Sequence, residues 1–465
     1  MFSVLACSCL LLITAYADAG EGNSERPAFN QSRYKEDYSF LKDPKKRTDW
    51  FDPVKYIPLT QSGDTFLSFG GETRQHFEYI DNNNWGQGPQ DDNGYYLQRY
   101  LIHGDLHVGQ RFRVFTQFMS GIETGRNGGP RGVDEDRFDL HQAFADVRLL
   151  GETQKKSLTV RAGRQEIIFG SRRFFNYRER PNMRLSHDAA MGILKWEGLD
   201  LRVFGARPVQ INTGYFDDKS TDAETVWGLY GVYKSLPVPL NVDLYYLGHH
   251  RQAGQYDQGT ADELRHTLGT RLWGKFEGWD YNFEFLYQFG DFNTRNIKAY
   301  ALASDTGYTF RWGEVRSLRL SLRADLYSGD DNPNDGELNS FNPFFPKGKH
   351  ISQLAAAGLT NQRNLHPRVT FVLDRHWSAT ASTQFIWRDS LTDGLYSIGG
   401  GLLRTGALSR ARYVGTQPEL EVKYTFNSHV DLKGIFVYFD AGEFLRQTPP
   451  AGDITYAGTM LTFRF

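Results

Sequence analysis

The chain has 465 residues and a formal net charge of −2. That balance excludes bulk electrostatic attraction to nucleic acid and leaves no acidic tail. Beyond residue 14 no apolar run reaches about 18 residues, which excludes a helical membrane span; aromatics at 15% and 47 glycines suit strands, membrane interfaces and turns instead.

In chain order, the first element is an apolar stretch to Ile13, followed by Ala15-Tyr16-Ala17 and Ala17-Asp18-Ala19. These small-x-small patterns predict a secretory signal over 1–19, cut after Ala17 or Ala19, although no Lys or Arg precedes the apolar run. Val4-Leu5-Ala6-Cys7 lies too early to serve as a lipoprotein box. Cys7 and Cys9, the only cysteines, leave with the signal, so the mature chain carries no thiol, which suits an oxidising compartment. Residues 20–62 are polar, and the prolines at 44, 53 and 58 oppose a regular helix or central strand; they are expected to form a periplasmic N-terminal extension.

From residue 63 to 465 one pattern repeats: alternating segments of ten to fourteen residues, then a break. In "TFLSFGGETRQHFEY" (65–79), Leu67, Phe69, Gly71, Thr73, Phe77 and Tyr79 alternate with Ser68, Glu72, Arg74, His76 and Glu78. Segments at 97–108, 111–118, 240–247, 281–288, 318–326 and 419–426 behave alike, whereas 139–149, 158–168 and 188–197 alternate poorly. Period two over so many segments means sheet. Short breaks, as at Gly109-Gln110 and Glu277–Trp279, alternate with long ones at 80–94, 123–137, 169–187, 213–224, 251–263, 328–365, 388–412 and 441–452. That asymmetry predicts an all-β, antiparallel up-and-down transmembrane barrel of about 18 strands in a Gram-negative outer membrane, with short periplasmic turns and long outer loops. In lipid the two faces invert relative to a soluble sandwich: apolar side chains look outward and charged ones inward. Trp85, Trp279, Trp312, Trp377 and Trp387 fall near strand ends, as interface girdles do.

The chain resembles the alginate export family, outer-membrane barrels related to the channel that secretes alginate. The resemblance rests on "DWFDPVKYIPL" (49–59), "FLSFGGETRQHFE" (66–78), "YLQRYLIHGDLHVGQRFRVFTQF" (96–118), "DLHQAFADV" (139–147), "VRAGRQEIIFGSRRFFNYRERPNMRLSHDAAM" (160–191) and "SGDDNPNDGELNSFNPFFPKG" (328–348). It implies an 18-stranded barrel with a basic, constricted pore for an anionic polysaccharide. The last strand, "MLTFRF", puts Leu461, Phe463 and Phe465 on one face and looks like the signal read by the outer-membrane assembly machinery.

Segment 161–184 holds seven arginines against Glu166 and Glu179, in a chain that is otherwise acidic. Guanidinium groups offer planar, bidentate recognition of carboxylates and keep their charge. Folded into the lumen, such a loop makes an anion-selective constriction; the alternative is that its arginines pair with inner-wall acids such as Glu72, Asp105, Glu166, Asp188 and Asp325 and brace the barrel. Arg164, Arg178 and Arg184, with Asp188 as a positioning acid, match the family's inward-facing block best. Arg173 and Glu166 belong to the same cluster. Arg74, Arg99, Arg113, Arg265, Arg271, Arg319 and Arg323 are expected on lumen faces, as a ladder of weak sites. "DDNPNDGE" (330–337) has Asp330, Asn332 and Asn334 at calcium-loop spacing, but Asp335 stands where that loop wants Gly, so a polar turn is expected. No histidine set has metal spacing, no cofactor is implied, and no nucleophile–base pairing suggests an enzyme. The expected function is export of an anionic polysaccharide or other carboxylated solute, with a possible periplasmic secretion partner. The alternatives are an uptake porin for small acidic nutrients and an adhesion or structural barrel without transport.

Overall fold

The computed structural model describes residues 26–91, 93–151 and 156–465; the signal segment lies outside the described residues. Eighteen wall strands run in chain order among the described residues. The first six are β1 (Thr65–Asp81), β2 (Tyr95–Val108), β3 (Phe112–Thr124), β4 (Asp136–Leu150), β5 (Lys156–Gln165) and β6 (His187–Trp196). The next six are β7 (Leu199–Gln210), β8 (Glu224–Tyr233), β9 (Asn241–Tyr256), β10 (Gly259–Phe276), β11 (Trp279–Phe292) and β12 (Arg295–Trp312). The last six are β13 (Arg316–Tyr327), β14 (Gln362–Val372), β15 (Trp377–Arg388), β16 (Tyr413–Thr425), β17 (Val430–Ala441) and β18 (Ile454–Arg464). Each pairs antiparallel with the next, and β18 returns to β1 in the register Glu72↔Arg464 to Asp81↔Thr455. Closure leaves no unpaired edge, the condition for strands in lipid.

The inversion of faces is visible residue by residue. Phe69 and Phe77 are 38% and 44% exposed on the outer wall, while Glu72, Arg74, His76 and Glu78 between them are at most 6% exposed. Leu320 and Leu322 face out on β13, and Arg319 and Arg323 face in, where they meet Asp280 and Asp305. Two hairpins at the short-turn end close on Glu197-Gly198 and Glu277-Gly278, each with both residues at positive φ. That is the two-residue geometry matching strand twist, and it needs Gly at the second position.

Three expectations are corrected. The long break at 251–263 is strand: β9 and β10 continue through it and turn only at 257–258, because they pair with each other, Arg251↔Glu263 through Tyr256↔Gly259. Its polar composition reflects a hairpin in water rather than a loop. The strand expected over 158–168 ends at Gln165, and Ile167 turns into an inner apolar cluster. Trp85 is no girdle residue; it is fully buried in the long-loop cap against Phe439. Trp279, Trp312 and Trp377 are exposed at strand ends.

The lumen is partly filled. Two long-loop segments, 166–186 and 328–361, fold inward and carry Phe174, Phe175, Phe341, Phe344 and Phe345 into one apolar cluster. Ala299, Ala301 and Ala303 on β12 supply the wall there, small enough to admit rings. The N-terminal segment enters from the short-turn end. It forms short turns and a four-residue helix (Asp52–Lys55), then pairs Ile57–Pro58 with β1. Tyr34 packs on Phe115 and Phe144, and Arg33 donates to the carbonyls of Gly71 and Phe465 at 2.9 and 2.7 Å.

Candidate pore constriction

Segment 166–186 holds its place inside the barrel because wall side chains satisfy its backbone. Arg74 donates to the carbonyls of Glu179 and Pro181, both at 2.9 Å. Gln142 accepts the Glu166 N–H at 3.1 Å. Asn182 on the segment reaches back to the carbonyls of Gln98 and Asp134 at 2.9 and 2.8 Å. A buried loop otherwise leaves costly unpaired amides. Arg172 and Arg178, at φ 65° and 60°, take left-handed backbone, as Gly170 does at 51°.

Behind the loop lies a buried ionic network. Arg99 bridges Glu72 at 2.8 Å and Glu179 at 2.5 Å. Arg184 Nε stands 2.6 Å from Glu179 Oε2, off the hydrogen-bond line, and its other nitrogens lie 3.4 Å from Glu166 and 3.7 Å from Glu72. Glu166 also meets His141 Nε2 at 3.0 Å and Ser32 Oγ at 3.4 Å. Burial alone raises the Glu179 carboxyl, but Arg184 and then Arg99 outweigh it and hold the group below the usual carboxylate range.

Every wall arginine of the expected ladder has an acid. Arg113 takes Asp105 in a fork at 2.7 and 2.6 Å. Arg164 takes Asp188 at 2.9 Å, and Asp139 lies 3.8 Å away. Arg319 spans Asp280 and Asp305, and Arg323 shares Asp305 at 2.6 Å. Arg265 pairs with Glu263 at 2.5 Å and Arg271 with Asp243 at 2.9 Å. On the inner loop, Arg173 pairs with Glu284 at 3.3 Å. Of the predicted site residues, Arg74, Arg99, Arg184 and Glu166 converge on one network; Arg113, Arg164 with Asp188, and Arg173 sit in separate pairs, and Arg319 and Arg323 share Asp305.

Arg178 is different. It has no ion pair among the described residues and only the Phe345 ring at 5.9 Å. Burial lowers its pKa, and Glu224 is the acid that opposes this at longer range. Arg172 donates to Gln31 Oε1 at 2.6 Å and Arg180 to the Gln353 carbonyl, neither to an acid. Two lysines join them. Lys347 is pushed down to about 8 by burial and by Arg172 and Lys349, and Lys35 to about 8 by burial and by Arg202 and Arg172. Sequence reasoning missed both lysines, since neither lies in the arginine-rich segment, and no periodicity marks a residue delivered by an inward fold.

Three of these cations, Lys35, Arg172 and Arg178, line cavities. One of about 660 Å³ at the short-turn end is walled by Lys35, Arg111, Arg113, Arg148, Arg161, Lys195 and Arg202, with Glu36, Asp37, Asp146 and Glu166. A second of about 290 Å³ shares Lys35 and Arg202 with it and adds Arg172, Lys234 and Arg271. A third of about 370 Å³ holds Arg178 and Arg251 with Phe344 and Phe345. The 330–337 turn is a run of side-chain-capped amides: Asp330 accepts from the Asn332 N–H, Asn332 from Asn334, and Asp335 from Glu337.

Solved structures similar to this chain are outer-membrane barrels. Pseudomonas aeruginosa OccK3 (OpdO) is 12% identical at a TM-score of 0.54, over 86% of this chain and 95% of that one. P. aeruginosa OpdK, solved with vanillate, is 10% identical at 0.56, over 86% and 98%. Acinetobacter baumannii OccAB2 is 10% identical at 0.56, over 85% and 98%. At such identity the likeness shows the closed 18-strand fold. No curated protein matches. The alginate export model matches residues 65–456, from the first wall strand into the last, and the chain therefore belongs to the alginate export family.

Proposed function

We propose that this protein is an outer-membrane channel that selects carboxylated solutes, an anionic polysaccharide foremost. Family membership and the porin-like barrel support the channel. The selectivity rests on one observation: among the described residues Arg172, Arg178, Arg180, Lys35 and Lys347 have no acid partner, and Arg172, Arg178 and Lys35 line the inner cavities. Low-dielectric walls focus the field of such charges on anything passing between them. The paired arginines, Arg74, Arg99, Arg184 and Arg113 among them, then hold the loop and the N-terminal segment in position, and a carboxylate exchanges among the unpaired cations. In this reading residues 1–19 are a signal and 20–62 an extension at the periplasmic, short-turn end. No catalytic step is assigned.

A second reading, uptake of small acids, is favoured by the cavity sizes. The short-turn cavity, about 660 Å³, has the size of a small-molecule site. Planar-bilayer recording with added uronate monomers and long oligouronates separates the two. Block by long chains supports the polymer channel, block only by monomers supports uptake, and absence of conductance overturns both. Replacing Arg172, Arg178 and Arg180 together with Gln should move the reversal potential in a salt gradient toward the non-selective value; an unchanged potential refutes the constriction.

A further inference from the structure

At the long-loop end, three carboxylates from two segments converge. Asp136 and Asp139 lie on β4, and Asp218 lies on the loop that follows β7; one oxygen from each falls within 4.8 Å of the others. Two residues three apart on a regular strand face opposite ways. Here the register slips between Met119 and Gly121 of the partner strand, which face Asp139 and Asp136, so both acids are carried to the buried side.

Asp136 is the telling group. It is fully buried, and among the described residues neither of its carboxylate oxygens has a hydrogen bond of good geometry; only the Phe138 N–H leans toward it. A buried charge without a partner is expensive, and native proteins supply one. The groups around it are acids: Asp139, Asp218 and Asp217, whose Oδ1 is also buried without a partner. Arg164, 3.8 Å from Asp139, is already committed to Asp188 at 2.9 Å. The loop is built to hold this arrangement. Phe216 turns at φ 52° and donates its N–H to the Phe138 carbonyl at 3.1 Å; its ring stands edge-on to Phe138 at 5.4 Å. Asp139 Oδ2 accepts the Asp218 N–H at 3.0 Å.

We propose that Asp136, Asp139 and Asp218, with Asp217 beside them, bind a calcium ion that ties the 211–218 loop to β4. All the donors are oxygens, and no His or Cys belongs to the cluster, which excludes the soft metals' preferred set. Oxygens this close can share one ion at the Ca–O length of about 2.4 Å, and calcium accepts an irregular shell of carboxylates and water, whereas magnesium demands near-ideal octahedral geometry. Carboxylates binding bidentately, with water, complete the shell. Bound calcium gives Asp136 its counter-charge, leaves Arg164 to Asp188, and adds positive charge near the basic lumen.

The test is calorimetric titration of CaCl2 into chelator-treated, detergent-solubilised protein. One saturable site per chain is expected, in the sub-millimolar to millimolar range usual for sites facing the medium. Asp136→Asn and, separately, Asp218→Asn should each weaken it more than about tenfold. Far-ultraviolet circular dichroism and gel mobility before and after boiling confirm that each barrel is intact. Asp218 is on a loop, so its variant stays informative if Asp136→Asn fails to fold. Absence of saturable binding up to about 5 mM, or unchanged affinity in the Asp218 variant, overturns the proposal. Magnesium competing as well as calcium overturns the choice of ion.

Discussion

Arg99 and Arg178 both lie inside the barrel, yet their loss should read out differently. Arg99 carries Glu72 and Glu179 in a buried network. Arg99→Ala leaves two buried carboxylates short of a partner and should destabilise the protein by about 3–5 kcal/mol, measured by denaturant unfolding in detergent. Arg178 holds no acid among the described residues, so Arg178→Ala should cost far less stability than Arg99→Ala while reducing anion selectivity. Lys35 and Lys347 give a pH signature. Both are depressed to about 8, so both are charged at pH 7 and largely neutral at pH 9. An unperturbed lysine keeps its proton to about pH 10. Anion selectivity should therefore fall as pH rises through 8, and Lys35→Met with Lys347→Met should flatten that fall. A profile that is flat in the unaltered protein would falsify the assignment of these two lysines to the pore. Arg178 was legible in the sequence as part of a basic run. That it lacks an acid and Arg173 has one was not, because Glu284, the partner of Arg173, is 111 residues away.

Strands reveal themselves by period two, and the best examples here are those with nothing to distort them. β13 alternates without interruption, Leu318, Leu320 and Leu322 against Arg319, Ser321 and Arg323. Leu322, 44% exposed and midway along β13, should meet acyl chains. Leu322→Arg should destabilise the barrel by about 2–4 kcal/mol, measured by unfolding from lipid bilayers. β4 was hard to read because its ladder slips three times against its neighbours, near Gln117, Met119 and Arg148. Each slip adds a residue and inverts the facing of those beyond it. The 251–263 segment was misjudged for the opposite reason. It is strand, but its hairpin stands in water, and hydropathy there carries no lipid signal.

For the whole molecule, transport is governed by what fills the ring as much as by the ring itself. The N-terminal segment occupies the short-turn mouth, anchored by Arg33 on Gly71 and Phe465 and by Gln31, which faces Arg172, Tyr177 and Arg184. Removing residues 26–40 should open the short-turn cavity at that mouth and raise single-channel conductance about twofold or more, read in planar bilayers, with strand content unchanged. The sequence by itself determined the closed antiparallel barrel and which face of each strand is apolar. Both follow from local alternation and from the need, in lipid, to satisfy every backbone group within the sheet. It also placed positive charge in the 161–184 segment. Only the tertiary structure decided which of those charges are neutralised, which loops turn inward, and that Asp136, Asp139 and Asp218 meet. Those outcomes depend on groups far apart in the chain coming within a few ångströms, and at such separations no periodicity survives to announce the contact.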